Sequence, residues 1–191
     1  MLSEAGCFGG DGAVADVSGR VGGAWGGFDV SCQVDATGIR GRMGGLLRGW
    51  SVDLSFSGGG SRLTGRLGGP AVGRDVDVAL GPQALRGRVG GDVLGHDVEL
   101  VLEGDRTTGT LEVKGRWGGE TLGFDCDLEY DVATGQLRGR LGGEVVGHTV
   151  DIQAAPEVSP LVAAFIACCT YHSYLQTQPR SSGGGAASTS N

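Results

Sequence analysis

Six copies of one short phrase, Gly-Arg-x-Gly-Gly, run through this 191-residue chain, at Gly19–Gly23, Gly41–Gly45, Gly65–Gly69, Gly87–Gly91, Gly115–Gly119 and Gly139–Gly143. They recur every 22 to 28 residues, and each is followed by an alternating stretch such as Asp75-Val76-Asp77-Val78. Self-similarity at this period means that one hairpin-sized unit is repeated, and no such unit buries its apolar face alone. Six like units cannot be divided into two cores, so a single domain is expected.

Within a repeat, Leu137, Gly139 and Leu141 share one strand face and Arg138 and Arg140 the other. Gly142-Gly143 suits a two-residue turn that needs positive φ at both positions. The returning strand then puts Val146, His148, Val150 and Ile152 inward and Thr149, Asp151 and Gln153 outward. The other repeats show the same parity, for example Val72, Arg74, Val76, Val78 and Leu80, or Leu122, Phe124, Cys126, Leu128 and Tyr130. Two strands per repeat make twelve, all antiparallel.

Between repeats, Asp105-Arg106-Thr107-Thr108-Gly109 and Asp131-Val132-Ala133-Thr134-Gly135 share a turn pattern with Asp as cap and Gly in the left-handed position. These hairpins set the register: Leu54 opposite Gly65, Val78 opposite Gly87, Leu100 opposite Gly115, Leu128 opposite Gly139. On the outer face the same register places Asp53 by Arg66, Asp77 by Arg88, Glu99 by Arg116 and Asp127 by Arg140. That is a charge ladder more than an anion-binding surface, because each arginine has an acid in reach. Its pairs contribute only ~0.2–1 kcal/mol each and serve to hold register. Arg20 at one end lacks a preceding acid and Asp151 at the other lacks a following arginine. Both find partners if the sheet closes, which also removes its exposed edges.

Glycine is 40 of 191 residues, about three times the usual ~7%, and its fixed places in the repeat argue for backbone geometry rather than disorder. A net charge of −7 disfavours nucleic acid as a partner. The five cysteines, Cys7, Cys32, Cys126, Cys168 and Cys169, have no metal-ligand spacing and are expected to be reduced and mostly buried. Leu2 to Cys7 faintly resembles a lipoprotein cleavage site but lacks the basic region and apolar run of an export signal. A cytoplasmic monomer is therefore expected.

After Pro156 the pattern changes. Ser159 and Pro160 read as N-cap and first helical residue, Pro179 as the stop, and the helix is expected over 159–176. Its first three turns are apolar all round, which requires surroundings of protein or lipid. The uninterrupted apolar run from Leu161 to Cys169 is nine residues, against ~20 for a bilayer span, so burial in protein is preferred. Twelve strands at ~40° tilt give a barrel roughly 24 Å across, wide enough for a helix of ~10–12 Å with inward side chains. Small helix residues (Ala163, Ala164, Ala167) and inward glycines (Gly41, Gly65, Gly87, Gly115, Gly139) favour that approach. The expected fold is mainly β: a closed 12-stranded antiparallel barrel of six hairpins, residues 13–178, its lumen filled by the hydrophobic C-terminal helix. Residues 1–12 form a lead-in and 179–191 a disordered Ser/Gly/Ala tail.

This six-hairpin plan with a C-terminal apolar helix resembles the tubby C-terminal-like architecture shared with phospholipid scramblases and LURP-one-related proteins. The short glycine-rich repeats are still more similar to the β-flower proteins, bacterial barrels. The resemblance covers about residues 13–176 and rests on architecture, so no phosphoinositide-binding residue carries over. It implies a non-enzymatic binding or scaffold module, with a lipid or membrane surface as partner.

No G-x-S-x-G, H-E-x-x-H, P-loop or dinucleotide fingerprint occurs, and no catalytic residue, metal or cofactor is expected. His96 and His148 fall in the slot held elsewhere by Phe28, Trp50, Arg74 and Phe124, which predicts packing with a satisfied ring nitrogen. The helix should end near the Gly-Gly rim, where Arg48, Arg74, Asp92, His96, Glu120, Glu144 and His148 line the mouth and Tyr171, His172 and Tyr174 arrive. A polar plug capping the helix is the plainer reading. The functional one is a mouth for a small anionic or amphipathic ligand, bound by Arg48, Arg74, His96, His148, His172 and Tyr171 of a barrel carrier or enzyme.

Overall fold

The computed structural model describes residues 13–23, 26–45, 49–68, 73–91, 95–119, 123–143 and 147–178. Twelve strands follow in order: β1 (Ala15–Gly23), β2 (Gly26–Asp35), β3 (Gly38–Gly44), β4 (Gly49–Ser57), β5 (Arg62–Gly68), β6 (Gly73–Leu80), β7 (Ala84–Val89), β8 (His96–Glu103), β9 (Thr110–Gly118), β10 (Gly123–Asp131), β11 (Gln136–Gly142) and β12 (Gly147–Ala154). Each pairs antiparallel with its neighbours in sequence, and β1 pairs with β12 to close the barrel. Arg20 stands opposite Asp151 in that seam, and the Ala155 amide donates to the Asp16 carbonyl to extend it. The lead-in and the tail predicted at the termini lie outside the described residues.

The predicted register holds throughout: Leu54 faces Gly65, Val78 faces Gly87, Leu100 faces Gly115 and Leu128 faces Gly139. Side chains then alternate across the wall, with Val76, Val78 and Leu80 buried between exposed Asp75, Asp77 and Ala79. In the turns, the Asp105 carboxylate accepts from the Thr107 amide at 2.9 Å, and that of Asp131 from Ala133 and Thr134 at 2.9 and 2.8 Å. Gly109 and Gly135 supply the left-handed residue after each, as predicted.

Three expectations are corrected. The first concerns the Gly-Gly turns. The first glycine stays in the strand in every pair except Gly90-Gly91, and Gly44 faces Gly49, Gly68 faces Gly73, Gly118 faces Gly123 and Gly142 faces Gly147. Four residues therefore separate the paired glycines rather than a two-residue turn. A Cβ on Gly147 would lie 2.8 Å from the Gly143 carbonyl oxygen and 2.9 Å from that of Leu141, so the closing glycine is sterically required. The recurring phrase is thus Gly-Gly-x-x-x-Gly.

The second concerns the ladder. Arg20, Arg66, Arg88 and Arg116 bond Asp29, Asp75, Asp97 and Asp125 of the returning strand. The register places Asp53, Asp77, Glu99 and Asp127 opposite Arg66, Arg88, Arg116 and Arg140 as predicted, but acids of this row bond a second arginine band: Arg40 with Asp53, Arg62 with Asp77, Arg86 with Glu99 and Arg138 with Asp151. In the returning strand Arg140 faces Thr149. All these pairs are exposed, and each contributes at most ~1 kcal/mol.

The third concerns the inward glycines. A Cβ on Gly139 would sit 2.3 Å from the Asp127 carbonyl oxygen and 2.8 Å from the Leu128 Cα, both in the adjacent strand. Gly19, Gly41, Gly65, Gly87 and Gly115 meet the same obstruction. The ring of missing side chains lets neighbouring strands close on one another, whereas the sequence suggested close approach of the helix.

Helix α1 (Pro160–Thr177) occupies the lumen, with every residue from Pro160 to Ser173 buried. It packs against β1–β4 and β8–β12. The Ser159 side chain makes no cap, and its carbonyl accepts the first helical bond from the Ala163 amide at 3.0 Å. Buried Thr170 and Ser173 donate to the Ile166 and Cys169 carbonyls at 2.7 Å each, so neither needs a partner in the wall. Trp117 and Phe165, both fully buried, stack with ring centres 6.1 Å apart.

Phe165→Ala should cost ~3–5 kcal/mol in denaturant melts, and Phe165→Asp should give a molten or insoluble product. A cooperative melt unchanged by either would move the helix out of the core. Gly139→Ala should cost ~2 kcal/mol or more, since φ is +143° and the new methyl meets backbone. The control is Gly91→Ala, where a Cβ meets nothing within 4 Å, with an effect within ~0.5 kcal/mol.

Candidate functional site: the Gly-Gly mouth

Each hairpin that starts at a Gly-Gly pair places one inward residue directly after its closing glycine. These six are Phe28, Trp50, Arg74, His96, Phe124 and His148, on β2, β4, β6, β8, β10 and β12. The repeat therefore builds a ring of equivalent positions at one mouth of the barrel. The C-terminal half of α1 rises into it, so Tyr171, His172 and Tyr174 meet the ring from within.

The ring contacts gather around two centres at this mouth, joined where Trp117 stacks on Phe124 with ring centres 5.7 Å apart. His172 lies against His96 (ring centres 4.8 Å apart), Trp117 (5.2 Å) and Trp50 (6.3 Å). Arg74 is near enough to act electrostatically on both His96 and His172. On the other side, His148 contacts Tyr171 at 5.2 Å and Tyr174 at 4.9 Å, while Phe124 packs on Tyr171 and Phe28 on Tyr174. Of the predicted site residues, Arg74, His96 and His172 come together, and His148 and Tyr171 meet each other, linked to the first group through the Trp117–Phe124 stack. Arg48, with Asp92, Glu120 and Glu144, lies outside the described residues. Trp50 and Phe124 were legible as members of the slot. Trp117 was not singled out, although it is the one aromatic residue in the variable position of the six Gly-Arg-x-Gly-Gly phrases.

A satisfied ring nitrogen is predicted for His96 and His148, and the structure departs from this at His148 Nδ1. His172 Nε2 and His148 Nδ1 are buried without a hydrogen-bond partner, as is Trp117 Nε1. Aromatic rings crowd these imidazoles, and rings offer area but no acceptor. Burial, with the His96 and Arg74 charges beside it, pushes His172 down to about 3. Burial followed by Arg74 and Arg88 lowers His96, and burial followed by Arg140 lowers His148. All three are neutral at pH 7. Burial raises Tyr171, so its hydroxyl keeps its proton.

Such an arrangement has little to offer as acid–base machinery. Among the described residues no hydrogen bond joins a histidine to a hydroxyl, thiol or carboxylate, so no histidine stands as a base beside a nucleophile. No three His, Cys, Asp or Glu side chains of the described residues gather as metal ligands would. Two shallow grooves lie on the outer wall, about 390 Å³ beside Arg62, Asp77, Arg86 and Arg88 and about 230 Å³ beside Glu112, Asp127, Arg138 and Arg140. In the first, Arg62 pairs with Asp77, while Arg86 and Arg88 pair with Glu99 and Asp97 outside it; in the second, Glu112 and Arg138 pair with Lys114 and Asp151 outside it. No helix of the described residues is long and apolar enough to cross a membrane. No protein-family model, curated protein or solved structure matches this chain.

The mouth makes stability depend on pH with a definite sign. An unfolded histidine takes its proton near ~6.5, while folded His172 stays neutral down to about 3. Between those values the unfolded chain binds more protons. Stability is therefore complete above the unfolded value and falls as pH drops below it, by about 1.4 kcal/mol per pH unit for this one group. His96 and His148 steepen the same fall. Denaturant melts from pH 7 to pH 5 should show this slope, and His172→Phe should reduce it while keeping a ring against Trp117. An unchanged slope in that variant would remove His172 as its source.

Proposed function

We propose that this protein is a non-enzymatic binding or scaffold module that associates with a lipid or membrane surface, as tubby-like barrels do. The observation that carries the first half is the filled lumen. With α1 buried in the barrel from Pro160 to Ser173, whatever the protein binds meets its rims or outer wall rather than an interior pocket. No histidine at the mouth is hydrogen-bonded to a hydroxyl or thiol among the described residues, which supports the same reading. The lipid half rests on the resemblance to tubby-like and β-flower barrels. Free, buried thiols at Cys32, Cys126, Cys168 and Cys169 fit a cytoplasmic setting.

Charge sets the form of the test. A chain of net charge −7 whose wall arginines already bond acids gains little from an anionic bilayer. In flotation of the full chain, co-migration with neutral and with anionic vesicles should therefore be alike and insensitive to salt. Protein left at the bottom of the gradient with both vesicle types would overturn the lipid partner and leave a scaffold for other proteins.

A second reading is favoured by the unpartnered Nε2 of His172 beside His96 and Arg74. It makes the mouth a site for a small anionic or amphipathic ligand, carried or acted on there. Octanoate, as a probe, should then raise the melting temperature of the native chain, and Arg74→Gln should abolish the rise. No rise in the native chain would dismiss this reading.

A further inference from the structure

Polar residues enter the core at one end only. Among the described residues the buried polar ones are Thr170, His172 and Ser173, all within one turn of α1. Thr170 and Ser173 donate back to the Ile166 and Cys169 carbonyls, a bond that weakens and bends helices. Beyond them the helix is held to the wall by ring contacts. His172 lies on His96, Trp117 and Trp50, and Tyr174 lies between His148 and Phe28. The Tyr174 hydroxyl rests over bare Gly26, where a Cβ would come within 2.7 Å of it. Leu175 and Gln176 are already exposed.

His172 Nε2 and His148 Nδ1 are buried without a partner, so a proton added there brings a charge with no acceptor facing it. The inner rows of the odd-numbered strands end at this mouth in uncharged Val21, Met43, Leu67, Val89, Trp117 and Leu141. Of the even-numbered strands, β2, β4 and β10 present Phe28, Trp50 and Phe124. The charges that act on the imidazoles are Arg74 of β6 on His96 and His172, Arg88 of β7 on His96, and Arg140 of β11 on His148. Asp97 of β8 is the one acid among them, and it bonds Arg88 at 2.6 Å. The helix itself adds the Tyr171 and Tyr174 hydroxyls.

We propose that the last two turns of α1 are an acid-released latch: protonation of His172 and His148 frees residues 171–177 from the mouth, while the barrel and the apolar turns of the helix stay in place. The sign follows from the burial. Docked, His172 is held neutral down to about 3, chiefly by burial, whereas a solvated imidazole titrates near ~6.5. Between those values the released form binds the extra proton, so its share rises about tenfold per pH unit as pH falls and is flat above ~6.5. Once in water, the imidazolium lies near the helix C-terminus, where the dipole favours a cation, so the freed turns remain helical. Acid thus opens one end of the molecule before it reaches the whole.

Hydrogen exchange of the full chain, followed by mass spectrometry from pH 7 to pH 4 and corrected for the intrinsic effect of pH, tests the latch. Protection over residues 171–178 should be constant down to ~6.5 and then fall about tenfold or more per pH unit. At every pH it should lie below the protection of residues 160–167, with the strands still protected. His172→Phe, which keeps a ring against Trp117, should make the fall shallower. Equal protection in the two helix segments, lost in step, would mean that the molecule opens as a whole and would overturn the latch. An end indifferent to pH, or an undiminished fall in folded His172→Phe, would do the same. Should that variant misfold, NMR of the imidazoles in the parent chain decides: His172 should titrate together with the loss of protection over residues 171–178. A His172 that titrates while that segment stays protected overturns the proposal.

Discussion

The fit between one apolar helix and the inside of a closed sheet is the interaction on which the rest of this molecule depends. α1 is apolar on every side through its first three turns and has no polar face to offer water. The inner row of each strand, such as Val76, Val78 and Leu80 or Val150 and Ile152, is equally unable to face water. Each surface is the only cover for the other. Interiors pack as densely as organic crystals, so the barrel cannot stand open around an empty lumen, and the helix cannot stand outside without exposing about four turns of apolar surface. Closure of β1 on β12 follows from the same demand, since an open sheet would leave part of the helix uncovered.

The glycines make this geometry reachable. A wall that curls tightly around a single helix brings neighbouring strands closer at one level than side chains allow. At that level the chain places Gly19, Gly41, Gly65, Gly87, Gly115 and Gly139, whose missing Cβ atoms would collide with the adjacent backbone. The charged outer face works in the opposite sense to a binding surface. Most of its arginines bond acids in two bands, holding register at little net gain.

Polarity enters the interior only at the mouth, because the repeat there tolerates variety. The position after the closing glycine holds Phe, Trp, Arg, His, Phe and His in turn. Three cationic or titratable residues among three aromatic ones make a rim that is neither a clean core nor a hydrated surface. His172 is carried into it by a helix whose remaining polar groups satisfy themselves on their own backbone. The outcome is a group of neutral imidazoles whose nitrogens lack partners. This is where the molecule keeps unspent hydrogen-bonding capacity, and where acid reaches its stability first.

Most of the architecture was legible before any coordinates, because a repeat states its local rules six times. Alternation assigned the faces, Asp and Gly assigned the turns between repeats, and the register of every predicted pair followed from turn geometry and the two-residue period of a strand. Ser159-Pro160 and the unbroken apolar run assigned the helix and its burial. These are properties of neighbours in sequence. The three-dimensional structure decided whatever depends on competition between partners that sequence leaves equally available. Arg66 has an acid on either side in the ladder, and only the packed wall selects Asp75 over Asp53. Gly142-Gly143 could form a turn by itself, until the need to pair Gly142 with Gly147 draws it into the strand. His172 and His148 share a mouth by topology, and the rotation of the helix alone sets which rings each of them meets. That rotation is an angle that no spacing along the chain encodes.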